Sequence, residues 1–172
     1  LGRLILGLLI KSPTKIKIIG DKSLSKRDFS RVTVPLEKFG CKFYYKTKNK
    51  LPLSIIGSPL IKGIKYFENK GSAQCKSSIM LAALNASGTT SIKAKKSRNH
   101  SELLFKYLKI PIKIKKTKKY DLIDIKQPKK INVFNYQIPG DISSSAFFMV
   151  LTTLVGNSKL LIKNVNVNPS RI

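Results

Sequence analysis

The stretch KGSAQCKSSIMLAAL, residues 70–84, sets Ser72, Ala73, Gln74 and Lys76 at the opening of an apolar helical run that packs through Ile79, Leu81 and Leu84. Such a start offers a hydroxyl, an amide, an ammonium and the orphan N–H groups of a first turn, a set suited to an anion or a polyhydroxylated ligand. Capping is the plainer account, with Ser72 accepting from the first N–H groups and the rest solvated. Arg27 and Arg31 in SKRDFSR, and Arg98 in SRNH, stand near the starts of two other helices. A cation there opposes the helix dipole. A ligand anion explains the placement, because a guanidinium grips a carboxylate or phosphate with two parallel hydrogen bonds; a side chain pointing into water is the alternative for each arginine taken singly. The chemistry indicated is recognition of small polyanions. A catalytic acid–base pair is not visible among eight acidic residues and the single histidine, His100. Asp141, ahead of ISSSAFF, is the best-placed acid, and its position points to helix capping.

The net charge of +26 over 172 residues raises the prospect of a nucleic-acid binder. The lysines are spread along the chain, however, and alternate with isoleucine in KIKII and IPIKIKK. That period-two pattern is the solvent face of half-buried strands, whereas a binding footprint is clustered. The positive field would still favour small anionic substrates. Cys41, Cys75 and His100 cannot assemble a tetrahedral metal set, so no metal site is expected, and two unpaired thiols fit a reducing compartment. LILGLLI is too short to span a bilayer, and nothing resembles a secretory signal. The chain opens on Leu1 inside an apolar helical run and stops at NPSRI, so an internal piece of a longer protein is expected.

The elements that position these residues repeat. RLILGLLIKSPTKIKIIG (3–20), SAQCKSSIMLAALNASGTTSIKA (72–94) and DISSSAFFMVLTTLVGNSKLLIKNV (141–165) share a layout of helix, small-residue turn and strand. Their strands recur about every 70 to 75 residues, open to the same logic as shorter repeats. After the first, SLSKRDFSRVTVPLEKFG places Phe29, Val32, Leu36 and Phe39 at helical spacing, with Ser25 as N-cap, Gly40 as stop and a kink at Pro35. CKFYYK and LPLSIIG follow as strands. After the second, SRNHSELLFKYL is a helix with Ser97 at the cap and Leu103, Leu104, Tyr107 and Leu108 on one face, followed by strands IPIKIKK and YDLIDIK. KGIKYFE precedes the second repeat as a strand and INVFNYQI the third. The unit is β-α-β-α-β-β: an α/β class in which several units share one core.

SAQCKSS, SRNHSELL, PGDISSSAFF and KNVNVNPSRI together resemble the central part of the EPSP synthase family, in its bacterial glyphosate-tolerant (class II-like) subgroup. RLILGLL is similar to the end of that family's phosphoenolpyruvate loop and helix, with Arg3 in the arginine position, and DKSLSKRDFSRVTVPLEKFG is similar to the segment supplying a phosphoenolpyruvate-binding arginine, here Arg27. The resemblance implies the enolpyruvyl transferase fold, an inside-out α/β barrel of repeated βαβαββ units in two domains closing over substrates. Residues 1–139 would be most of the N-terminal domain (two units, the first incomplete) and 140–172 the start of the C-terminal one, with the hinge at Ile138–Asp141. It implies transfer of the enolpyruvyl group of phosphoenolpyruvate to the 5-hydroxyl of shikimate 3-phosphate, in aromatic amino-acid and chorismate biosynthesis. Ser72 and Ala73 would bind shikimate 3-phosphate, Gln74 would touch both substrates, Arg98 would hold the phosphate and Arg27 would bind phosphoenolpyruvate; Arg3, Lys76 and Asp141 are further candidates. No cofactor, nucleic acid or membrane is implied, and the whole protein would be a cytoplasmic monomer.

Asp28 departs from the family's proline after the arginine, which changes how that loop is held. The family's catalytic Asp and Glu fall outside the matched residues, so the isolated chain is expected to bind weakly and not to turn over. The sister enzyme acting on UDP-N-acetylglucosamine shares fold and donor but uses a loop cysteine as acid; neither Cys41 nor Cys75 is expected in such a loop. A basic nucleic-acid-binding domain is the alternative from another class.

Overall fold

The computed structural model describes residues 2–170. Two compact units divide at Ile131/Asn132, ahead of the crossing expected at 139/140. The final Arg171 and Ile172 of the NPSRI motif lie outside the described residues.

In the first unit, helix α1 (Gly2–Leu8) leads to strand β1 (Ile16–Ile18), a short helix α2 (Lys22–Ser25), helix α3 (Ser30–Glu37) and strands β2 (Lys42–Tyr45) and β3 (Leu53–Ile56). These strands form an antiparallel sheet in the order β1-β3-β2, with Ile16 opposite Ile55 and Phe43 opposite Ile55 on the other side. Strand β4 (Lys65–Glu68), helix α4 (Ala73–Ala83), strand β5 (Thr89–Lys95), helix α5 (His100–Tyr107) and strands β6 (Ile112–Lys116) and β7 (Tyr120–Lys126) follow. The second sheet runs β4-β5-β7-β6, with β4 and β5 parallel and β7 antiparallel to both its neighbours. The order β5-β7-β6 reproduces β1-β3-β2, so the βαβαββ repeat read from sequence is present in the topology. Lys/Ile alternation holds as expected: in β1 and β6, Ile16, Ile18, Ile112 and Ile114 are half-buried while Lys17, Lys113 and Lys115 are exposed.

Helix α4 is the centre of the core. It packs against α1, α3 and β5, and its buried residues run all the way round, from Cys75 through Ile79 and Met80 to Ala83. Packing through a single Ile79–Leu81–Leu84 side is therefore corrected: Ile79 is fully buried, while Leu81 and Leu84 only lean on the core. Each such fully buried aliphatic side chain contributes about 1.5–3 kcal/mol. Gly7 sets how closely α1 approaches, since a Cβ there would lie 2.2 Å from the Ser78 carbonyl oxygen. The two helix backbones touch, and α1 cannot carry a side chain at that crossing.

Several local expectations are revised. Ser25 is not an N-cap: Asp21 caps α2 by accepting from the Leu24 N–H, and the Ser25 hydroxyl donates to the Gly20 carbonyl. Nor does Ser97 cap α5, which begins after Asn99 without a side-chain cap. The inward residues of α5 are Glu102 and Phe105; of the expected face, Leu108 packs against the core while Leu103, Leu104 and Tyr107 are exposed. The stop at Gly40 stands, with φ +98° and its N–H on the Glu37 carbonyl. Helix α3 runs through Pro35 as one element, although proline there leaves the Arg31 carbonyl without its usual donor.

The second unit holds helix α6 (Ile142–Leu154) and, among its described residues, one isolated parallel bridge between Gly140 and Val165. Strands expected at INVFNYQI and KLLIK do not form. A strand exists only through its ladder partners, and none stands beside these segments in the unit. Phe147, Phe148, Leu151 and Leu154 on α6 are largely exposed.

Candidate functional site

Ser72 takes an extended backbone (φ −86°, ψ 104°) and its hydroxyl oxygen accepts from the Cys75 N–H at 3.2 Å. Capping is thus real, yet it uses only an acceptor lone pair and leaves the hydroxyl proton available. Ala73 is half-buried and Gln74 exposed beside it.

Arg3 joins this start to a second segment. Its Nη1 donates to Gln74 Oε1 at 2.8 Å, and its Nη2 donates to the Asp28 carbonyl oxygen at 2.6 Å. The guanidinium also lies 5.6 Å from the Phe29 ring centroid, and Phe29 itself is fully buried. The backbone contact of α1 with α4 at Gly7 is what brings Arg3 to Gln74. Arg27 is exposed in the turn between α2 and α3, with its N–H on the Leu24 carbonyl, and so precedes the helix in which its first-turn position was expected. Asp28 fixes that turn from the other side: its carboxylate accepts from the Ser30 N–H at 2.8 Å and the Ser30 hydroxyl at 2.7 Å. Where the family has proline, Asp28 thus ties its own turn to Ser30, the first residue of α3, which has Phe29 at its N-cap position and no side-chain cap.

The electrostatics agree with an anion site. Burial, then the neighbouring Arg31 and Arg27, lower the Arg3 pKa from its ordinary value. Hydrogen bonds from Ser30 hold the Asp28 carboxyl below the usual range, with Arg3 and Arg31 adding to the effect. Three guanidiniums thus share one region, with Asp28 as the nearby counter-charge. Arg31 and Ser72 also line a cleft of about 150 Å³ together with Ser30, Glu68 and Lys70. Glu68, buried there, accepts from the Lys70 N–H through Oε1, and its Oε2 has no partner among the described residues.

Arg98 is exposed in the loop between β5 and α5. Because β4 and β5 are parallel, with Glu68 opposite Ala94, this loop and the Ser72 start leave the same end of the sheet. A Cβ on Gly71 would lie 3.4 Å from the Lys96 carbonyl oxygen, so the two loops abut. Within the loop, Ser97 Oγ and Asn99 Oδ1 are buried and have no partner among the described residues. Sequence reasoning assigned Ser97 to capping and passed over Asn99; SRNH beside an arginine was the available signal for both. Lys76 does not join the site. Its side chain is fully buried and paired with Glu102. Asp141 belongs to the second unit, where its carboxylate accepts from the Ser143 N–H and caps α6.

Both cysteines are buried, and burial pushes each thiol up to about 12, so neither offers a thiolate at neutral pH. Among the described residues no group of three His, Cys, Asp or Glu side chains could hold a metal, and no helix is long and apolar enough to cross a membrane. What the first unit assembles is a set of donors and cations suited to phosphate or carboxylate oxygens, with the Glu68 carboxylate in the same cleft.

Comparison with known proteins gives the same direction. The sequence model of EPSP synthase (3-phosphoshikimate 1-carboxyvinyltransferase) matches residues 2–172. Proteins named 3-phosphoshikimate 1-carboxyvinyltransferase from Thermoanaerobacter sp. (strain X514) and Bacillus subtilis (strain 168) are 42% and 39% identical, each over 98% of this chain and 39% of their own length. A solved EPSP synthase from Acinetobacter baumannii superposes with a TM-score of 0.79 at 34% identity, over 97% of this chain and 37% of that one. The chain thus spans about two-fifths of the length of these relatives. It has their fold across that span, and it belongs to the EPSP synthase family.

Proposed function

We propose that this chain provides the shikimate 3-phosphate subsite and one phosphoenolpyruvate-binding arm of an enolpyruvyl transferase. The net reaction forms a bond between the 5-oxygen of shikimate 3-phosphate and C2 of phosphoenolpyruvate, breaks the bond from C2 to the phosphate oxygen, and releases phosphate. Ser72, the Ala73 N–H and Gln74 hold the acceptor, Arg98 takes its phosphate, and Arg27 takes the phosphoenolpyruvate. Arg3 serves both arms by holding Gln74 and the Arg27 turn. The observation that carries this reading is the Arg3 bridge, which ties an amide at one helix start to a cationic turn 46 residues earlier, by hydrogen bonds to Gln74 and Asp28. Residues 1–139 would form most of the N-terminal domain and 140–172 the start of the C-terminal one. The whole enzyme would be a cytoplasmic monomer of aromatic amino-acid biosynthesis, needing no cofactor, nucleic acid or membrane.

Cys41 and Cys75 are both buried, so neither offers the loop acid that the sister reaction on UDP-N-acetylglucosamine would use. An NMR titration of the 172-residue chain decides between acceptors. Shikimate 3-phosphate is expected to shift the amides of Ser72–Cys75 and Ser97–Asn99 at millimolar concentration, and phosphoenolpyruvate added afterwards to shift Arg27–Asp28. Shifts with UDP-N-acetylglucosamine alone, or shifts scattered over the surface lysines and reproduced by sulfate, would contradict the assignment.

A further inference from the structure

Lys76 Nζ meets Glu102 Oε1 at 2.5 Å, the lysine side chain wholly buried and the glutamate nearly so. One position along each helix, the Ser101 hydroxyl donates to the Ser77 hydroxyl oxygen at 2.6 Å. Two successive residues of α4 therefore meet two successive residues of α5. A buried ion pair is a poor source of net stability, because desolvating two charges offsets their attraction, and apolar residues of similar volume hold a core as well or better. This pair is not even saturated: among the described residues Glu102 Oε2 has no partner, and the ammonium meets Oε1 without a hydrogen bond of ordinary geometry. What apolar packing would not supply is direction. The two contacts fix how far α4 and α5 can slide or turn against each other, and both lie within a turn or so of the helix starts. Those starts are Ser72–Gln74 and the Ser97–Asn99 loop, which leave the same end of the β4–β5 pair and abut through Gly71 and Lys96.

We infer that the Lys76–Glu102 and Ser77–Ser101 contacts form a positioning clamp that sets the Arg98 loop against the Ser72–Gln74 start, and with it the width of the acceptor subsite. The inference rests on the acceptor reading given above. None of the four residues touches the ligand. Lys76 acts through the register of α4, in place of the direct contact its sequence position suggested.

Two variants of the full chain test the clamp. Lys76→Met with Glu102→Leu removes both charges, so neither is stranded; Ser101→Ala removes the adjacent bond. The readouts are amide hydrogen exchange at residues 97–101 without ligand, and affinity for shikimate 3-phosphate. In the double variant the thermal midpoint is expected to stay at or above that of the parent, while exchange in the loop rises and affinity falls, each about tenfold, since an ångström of misplacement is enough for that. Adding Arg98→Ala then costs little more, because the arginine is already out of position. A double variant with parental exchange and affinity overturns the clamp. Should it fail to fold, Ser101→Ala decides: about a threefold change in both readouts is expected of a weaker tie, and no change overturns the inference. A parent chain that takes up no shikimate 3-phosphate removes the acceptor reading instead, and loop exchange alone then judges the clamp.

Discussion

Arg3→Ala is expected to lower kcat/KM about 100-fold in a polypeptide that joins this chain to the remaining length of its family, because it releases at once both segments proposed to hold substrate. The side chain makes two charge-assisted bonds, one to each candidate arm. Such bonds contribute about 1.5–3 kcal/mol each when buried, and the half-exposed setting of Arg3 places them at the lower end. The larger loss is geometric, since Gln74 loses its bond to Arg3 and the Arg27 turn loses its tie to α1. Arg3→Lys restores little: one ammonium cannot span acceptors that a planar guanidinium reaches with two separate nitrogens. Steady-state kinetics on the two variants check this, and an Arg3→Ala enzyme within about threefold of the parent would contradict it.

Lys76→Met alone has the largest expected effect on folding. It strands the Glu102 carboxylate in the core, a change that destabilises by about 3–5 kcal/mol. For a unit of this size that corresponds to a fall in thermal midpoint of roughly 10 °C. Urea unfolding of the single variant beside Lys76→Met/Glu102→Leu measures it. The second substitution is expected to return most of the loss, since it removes the stranded charge. A single variant as stable as the parent would mean that the pair is hydrated and not part of the core.

Much of the fold is legible in the sequence because periodicity survives tertiary context. Alternating lysine and isoleucine marks β1 and β6, and the recurrence of helix, turn and strand exposes the βαβαββ unit whose sheet orders match. Caps were harder to read. Ser25 and Ser97 are acceptable N-caps by residue type, but cap identity depends on where the chain turns: Asp21 caps the helix that contains Ser25, and the N-cap position of α5 falls two residues after Ser97, at Asn99, without a side-chain cap. The face of α5 was misjudged for a related reason. Leucine count favours a face of Leu103, Leu104, Tyr107 and Leu108, of which Leu108 does pack on the core, whereas the helix is oriented by Phe105 and by the Glu102 partnership with Lys76. The same partnership hid Lys76, which beside Cys75 and Ser77 looks like a solvated ammonium until a residue on another helix closes on it. Arg3 and Gln74 lie 71 positions apart, and no local pattern joins them; the signal was Gly7, which allows the helices to touch. The strands missing from residues 132–170 show the converse limit, for an alternating segment becomes a strand only where a partner strand is present.

The most direct test of the central claim is phosphate release from phosphoenolpyruvate by the chain joined to the remaining length of its family, measured with and without shikimate 3-phosphate and beside Arg27→Ala. Release that requires shikimate 3-phosphate and collapses in the variant is the expected result. Release that proceeds with UDP-N-acetylglucosamine and not with shikimate 3-phosphate would contradict the account and void the acceptor roles of Ser72, Gln74 and Arg98.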